Sequence, residues 1–223
     1  MAQTYIIIDQ EKDWAPLYPS ENVLTFRQYL NGDYPAEKQR VRLINLCSSY
    51  KYLSAGYYCS LLAEGRNHHV IPSVQTLNDL SKRVLYQLQL EDFSQSLGKA
   101  GQGASTESEI TLLSFFGVSA DPAYSEIARK LFELFPCPIL EAKLAYKETL
   151  EVRSLKPIGH KDLSEDDETH FAQALDKFSQ NVWRKKRSQK RSRYDLAILH
   201  DPDEDMPPSN SVALKRFIKA GKE

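Results

Sequence analysis

The sequence predicts an α/β protein with α+β character: a mixed, partly parallel sheet flanked by helices, followed by a C-terminal strand-helix unit that begins a second domain. Three observations predict it. Residues 40–81 (RVRLINLCSSYKYLSAGYYCSLLAEGRNHHVIPSVQTLNDLS) read as strand, loop, helix and strand, a unit that normally lies in a parallel sheet. Residues 109–155 read as strand, helix and two further strands joined by a tight turn, which requires antiparallel pairing. After Arg193 a new apolar strand begins.

Taken in order, Thr4 to Asp9 is a first strand and Trp14 to Ser20 an irregular loop bearing prolines. Ser20 then precedes Val23, Phe26, Gln28, Tyr29 and Leu30, a short helix closed by Asn31-Gly32. Val41 to Cys47 is an apolar run suited to a buried strand. Leu53, Tyr57 and Leu61, with Tyr58 and Leu62 beside them, recur at helical spacing, and Val70 to Val74 is the next strand. Thr76 caps a longer helical segment reaching about Leu97, with Leu77, Leu80, Val84, Leu85 and Leu88 on one face.

Gly98 to Ser108 has the composition of a flexible linker. It resembles a dinucleotide-binding glycine loop only superficially, since it follows a helix and precedes a strand. Glu109 to Phe116 and Pro138 to Tyr146 are strands around the helix Pro122 to Phe135, whose core stripe is Ile127, Leu131, Leu134 and Phe135. Leu150 to Leu155 is a half-exposed strand after a turn at Glu148-Thr149. Ser164 caps a helix with an acidic first turn, Glu165 to Glu168, and a stripe of Phe171, Ala174, Leu175, Phe178 and Val182. The acids read as helix-dipole partners rather than metal ligands. Arg184 to Arg193 holds seven basic residues in ten and reads as a solvated linker. Beyond it Tyr194 to His200 is a strand, and Ser211 to Ala220 a helix with Leu214, Phe217 and Ile218 on one face. These need burial by docking, or by pairing with a second copy as a homodimer.

At 223 residues the chain suits one main domain with an appendage. An apolar fraction of 41% supports a core, and a net charge of −1 argues against a nucleic-acid or membrane partner. No run is long enough to span a bilayer, and the N-terminus lacks the pattern of an export signal. The three cysteines, Cys47, Cys59 and Cys137, lack metal-site spacing and read as reduced, in a cytoplasmic protein. Adjacent His68 and His69 point to opposite faces, a poor pair of metal ligands.

The candidate site is the loop Ser48-Ser49-Tyr50-Lys51-Tyr52 and the helix start after it, because ligands bind parallel sheets beyond the carboxyl ends of the strands. In one reading Ser48, Ser49 and Ser54, with backbone amides, receive a carboxylate or phosphate while Tyr50, Tyr52 and Tyr57 wall the pocket. In the other the serines cap the helix and the tyrosines pack against neighbouring loops.

IIIDQEKDWAPLYPSE, the 40–81 segment, FPCP at Phe135 to Pro138, and the C-terminal stretch from Val182 through YDLAILHDP together resemble the N-terminal domain of RimK-like ATP-grasp proteins of bacteria and archaea. The resemblance implies three parts: the N-terminal domain over 1–183, a basic linker over 184–193, and over 194–223 the first strand and helix of a pre-ATP-grasp domain, cut short. It implies a recruiting or regulatory module of a carboxylate-amine ligase in peptide or amino-acid ligation, not catalytic alone. ATP and magnesium belong to a downstream ATP-grasp domain, the ligand is a small amino acid or peptide, and no catalytic or metal residue is carried over. Two other readings stay open. AGYYCSLLAEGRNHHVIPS is similar to the first helix and second strand of GT-B glycosyltransferases, which implies a nucleotide-sugar-binding lobe, although the preceding loop lacks the glycine pair. A purely structural interaction domain is the third.

Overall fold

The computed structural model describes residues 3–14, 22–34, 40–87, 89–90, 109–146, 150–180, 201, 203, 206 and 209–220. The linker expected at 98–108, the turn at 148–149, the basic run at 184–193 and the strand at 194–200 lie outside the described residues. The chain divides into two compact units, Met1–Val182 and Trp183–Glu223.

The first unit begins with a parallel sheet. Its elements are β1 (Gln3–Ile8), β2 (Val23–Thr25), α1 (Phe26–Asn31), β3 (Val41–Asn45), α2 (Ala55–Gly65), β4 (His69–Ile71) and α3 (Val74–Ser81). The strand order is β2-β1-β3-β4, every pair parallel. Tyr5 to Ile8, Leu43 and Ile44 are all buried, as expected of strands covered on both faces. Tyr5, Ile7, Leu43 and Val70 share one core with Tyr29 of α1 and Cys59 and Ala63 of α2.

Several boundaries differ from expectation: Leu53 (φ +67°) stands outside α2, and β4 ends at Ile71, leaving Val74 to α3. Val23–Thr25 is a strand at the sheet edge, and the helix starts at Phe26. Thr25 and Gln28 cap each other's backbone reciprocally, which satisfies two amides at that point and sets the start there; Gly32 ends the helix at φ +83° as expected. Likewise Ser73, not Thr76, caps α3, its hydroxyl accepting from the Thr76 amide at 3.0 Å. The expected long helix breaks at Lys82, whose backbone is extended (φ −125°, ψ 115°), before α4 (83–87).

Arg66, just past α2, ties α1 to α2. Its guanidinium donates to the Tyr29 and Leu30 carbonyls at 2.6 and 2.9 Å and lies 4.9 Å from the centre of the Tyr29 ring. The Tyr29 hydroxyl pairs with His68 Nδ1 at 2.8 Å. Burial, and then the Arg66 charge, hold the His68 imidazole below its ordinary range.

The antiparallel strands form a separate three-stranded sheet, β5 (Glu109–Phe115), β6 (Ile139–Tyr146) and β7 (Leu150–Pro157), in the order β5-β6-β7. The predicted α/β class therefore holds, with its two kinds of pairing in two sheets. Leu112, Leu140, Ala142, Leu144 and Leu155 turn to one face, where Leu80 of α3 and Ile127 and Leu131 of α5 (Ser125–Leu134) cover them. Phe115, of opposite parity to Leu112, meets Phe171 of α6 (Glu165–Gln180). Leu134, expected in the core, is 38% exposed. The helix ends there, and the non-helical backbone of Phe135 (φ −125°, ψ 80°) places that ring in the core, as expected of it. Ser164 accepts from the Asp167 amide, so it caps α6 as expected. In the second unit α7 (Ser211–Ala220) is capped by Asn210, with Val212, Phe217 and Ile218 exposed.

Two outcomes are expected. Gly117 lies at φ +82°, and a Cβ there would stand 2.9 Å from Phe132 Cβ; Gly117→Ala should cost about 2 kcal/mol of unfolding free energy in urea melts. His68 is harder to protonate folded than unfolded, so its contribution is complete above its ordinary pKa of 6.5 and is lost as the pH falls through the lowered folded value. The stability difference between wild type and His68→Gln should accordingly shift against the wild type between about pH 7.5 and pH 5.

Candidate functional site

In a parallel sheet ordered β2-β1-β3-β4, the chain leaves β1 toward one edge and β3 toward the other. Their carboxyl ends therefore flank the switch point at which α/β proteins place ligands. The segment after β3, residues 46–54, forms one wall and Asp9, just after β1, the other.

The wall is built on Asn45, the last residue of β3 and fully buried. Its amide donates to the Gly56 carbonyl at 2.7 Å and to Ser60 Oγ at 2.9 Å, and its side-chain oxygen accepts from the Cys47 amide at 3.2 Å. Ser60 passes the connection on to the Pro72 carbonyl at 2.7 Å. Asn45 and Ser60 together thus link β3, α2 and the start of α3. Gly56 makes this possible, because a Cβ there would lie 2.4 Å from the Ser49 carbonyl oxygen.

Each candidate residue has a defined place. Ser48 donates its amide (2.8 Å) and its hydroxyl to the Asp9 carboxylate across the switch point. The Ser49 carbonyl accepts from the Gly56 amide at 3.2 Å and from Ser54 Oγ at 2.7 Å. Ser54 caps α2, accepting from the Tyr57 amide at 3.4 Å. Tyr50 is buried and donates its hydroxyl to the Asn45 carbonyl at 2.7 Å, and burial holds that hydroxyl protonated. Tyr52 alone of the six faces fully outward, 74% exposed, with its ring edge to face against Tyr57 at 5.2 Å. The fold brings all six together.

From the second sheet, the segment after β7 closes on the same loop. His160 is buried and donates Nδ1 to the Leu46 carbonyl at 3.1 Å, and Trp14 meets its ring edge on at 6.1 Å. Gly159 lies so close that a Cβ would stand 2.8 Å from the Ser48 oxygen. Asp9, Asn45, Gly159 and His160 escaped the sequence reading. An amide at the end of β3 and an acid at a strand end were the available signals for the first two.

The chemistry follows from this occupancy. The Ser48 amide and the Gly56, Tyr57 and Tyr58 amides at the start of α2 all have acceptors within the protein, and a carboxylate already stands at the switch point. An incoming anion would meet the Asp9 carboxylate there, with these four amides already bonded within the protein. Cys47, Cys59 and Cys137 are free and buried. The hydrogen bond with Cys59, and then burial, push the Cys47 thiol far up, and burial pushes Cys137 up to about 12, so neither is a ready thiolate. Among the described residues no three His, Cys, Asp or Glu side chains converge on a metal position, and no helix is long and apolar enough to cross a membrane. Within residues 46–61 the exposed side chains are Lys51 and a run of large ones: Tyr52, Leu53 at φ +67°, Tyr58 and Leu61.

The two glycines of α2 give a paired test. Gly56→Ala should lose about 3 kcal/mol, as forced overpacking does. Gly65, where an added methyl would find nothing within 4 Å, should tolerate alanine and gain up to about 1 kcal/mol. Thermal melts of the two variants check it; equal melting temperatures would mean that the loop yields where the geometry says it cannot.

Comparison with known proteins places the chain. No curated protein matches it. The family model described as RimK-like ATPgrasp N-terminal domain matches residues 26–174, which take in β3, the 46–54 loop, α2 and the whole antiparallel sheet. Domains of this family are normally joined to an ATP-grasp domain, which ties them to ATP-grasp ligases. With two thirds of its length inside that match, the chain belongs to the RimK-like ATP-grasp N-terminal domain family.

Proposed function

We propose that this domain is the recruiting module of a RimK-like ATP-grasp carboxylate-amine ligase of the cytoplasm. It presents a peptide substrate and leaves the chemistry, with ATP and magnesium, to the ATP-grasp domain. The observation that carries this reading is the contrast within residues 46–61. The polar groups that would cradle a phosphate or carboxylate are committed to Asp9, Ser49 and Ser54, while Tyr52, Leu53, Tyr58 and Leu61 project outward. Leu53 holds a left-handed backbone unusual for a branched side chain and is 59% exposed. Strain held at an exposed apolar residue is a common mark of a recognition surface. In this reading Ser48, Ser49, Tyr50 and Ser54 hold the loop, and Tyr52 and Tyr57 touch the peptide. The match to the ATP-grasp family favours this over a nucleotide-sugar-binding lobe.

The test uses dodecapeptides selected from a random library on the wild-type chain, then fluorescently labelled. A Tyr52→Ser, Leu53→Ser double variant should bind them at least about fivefold more weakly while melting within a degree or two of wild type, since loss of one anchoring contact is worth roughly 1 kcal/mol. Equal binding by the variant would remove the surface from the account. The pure chain with ATP and magnesium should release no ADP; magnesium-dependent ADP release would contradict the division of labour.

A further inference from the structure

A groove of about 290 Å³ lies between α6 and the turn that follows β5, and shares no residue with the 46–61 surface. Its floor is aromatic. Phe116 sits in a two-residue turn closed by mutual hydrogen bonds between Phe115 and Val118 (2.8 and 2.9 Å), at φ +51°. A bulky residue rarely adopts that conformation, and a glycine there would relieve it. The strain keeps a ring in place: Phe116 stacks on Phe178 at 4.5 Å and lies parallel to Phe171 at 6.1 Å. Ala174, small and buried, leaves the space above the floor open.

The rim has a different character. His170, Gln173 and Lys177 lie three and four positions apart on α6, so they share one face of the helix along the groove. Among the described residues no aspartate or glutamate lines the groove. An aromatic floor beneath a rim of one ammonium, one imidazole and one amide suits a ligand with a flat apolar body and a negative end. The volume is at the low end for small-molecule sites and holds about one ring with its carboxylate arm.

We propose that this groove binds a small aryl carboxylate, its ring against Phe116 and Phe178 and its carboxylate beside Lys177, with Gln173 and His170 within the same face. A free aryl acid and the C-terminal phenylalanine of a peptide share this chemistry. The assignment stands independently of the proposed recruiting surface.

The test is a proton-nitrogen NMR titration of the full 223-residue chain with 3-phenylpropionate, its neutral amide 3-phenylpropionamide, and the tripeptide acetyl-glycyl-glycyl-phenylalanine. Saturable shifts are expected at residues 116–120 and 170–178 with a carboxylate ligand. The neutral amide should bind about tenfold more weakly, the usual scale for a charge-assisted contact. Lys177→Met, whose spectrum reports its own folding, should weaken 3-phenylpropionate by about the same factor and leave the neutral amide unchanged. His170→Gln should act in the same direction to a smaller extent. The tighter of the free acid and the tripeptide identifies the source. Shifts absent from these residues, equal binding of acid and amide, or an unchanged affinity in Lys177→Met would overturn the proposal.

Discussion

The buried side chain of Asn45 ties together the parts of the first sheet that would otherwise be free to vary. A strand residue in this position is ordinarily apolar, and placing an amide there is costly unless every donor and acceptor is met. Here both its oxygen and its nitrogen are satisfied, by Cys47, Gly56 and Ser60. The return is geometric. The loop leaving β3, the first turn of α2 and the segment entering α3 are fixed relative to one another through Asn45 and the Ser60 hydroxyl it bonds to, and Gly56 lets α2 approach closely enough for the amide to reach.

That constraint explains why the switch point is not an open cradle. With the loop held in place, the Ser48 amide and hydroxyl face Asp9, and Gly159 and His160 arrive from the other sheet to close on Leu46 and Ser48. The polar groups of the site are bonded within the protein, and Lys51, Tyr52, Leu53, Tyr58 and Leu61 lie exposed beyond them. The antiparallel sheet, with its aromatic groove above Phe116, is a second and separately built surface. Two surfaces of different chemistry suit a domain whose family is normally joined to an ATP-grasp domain.

The sequence was most legible where burial dictates residue type. β1, β3 and the strands of the second sheet are apolar or alternating runs, and α6 carries both its cap and its stripe in plain order. It was least legible where a few polar atoms decide. Val23 and Leu24 suit a strand or a helix equally, and only the reciprocal Thr25 and Gln28 caps choose between them. The site loop could be located, because strand, loop and helix signals are local. Its partners could not: His160 reaches Leu46 across 114 residues of sequence, and no local pattern announces such a pairing. For the same reason the spacing of the serines did not announce that Ser48 bonds to Asp9, while Ser54 bonds to the Ser49 carbonyl and the Tyr57 amide.

Amide hydrogen exchange on the wild-type chain, read residue by residue, tests most directly whether the loop is a rigid, internally satisfied structure. If it is, the Ser48 and Gly56 amides exchange as slowly as the Leu46 amide, which bonds to the Ile7 carbonyl within the first core, because all three open only when that core does. Exchange of Ser48 and Gly56 at the rate of an open loop, while Leu46 stays protected, would contradict the account and return residues 48–57 to the role of an adaptable ligand-binding loop.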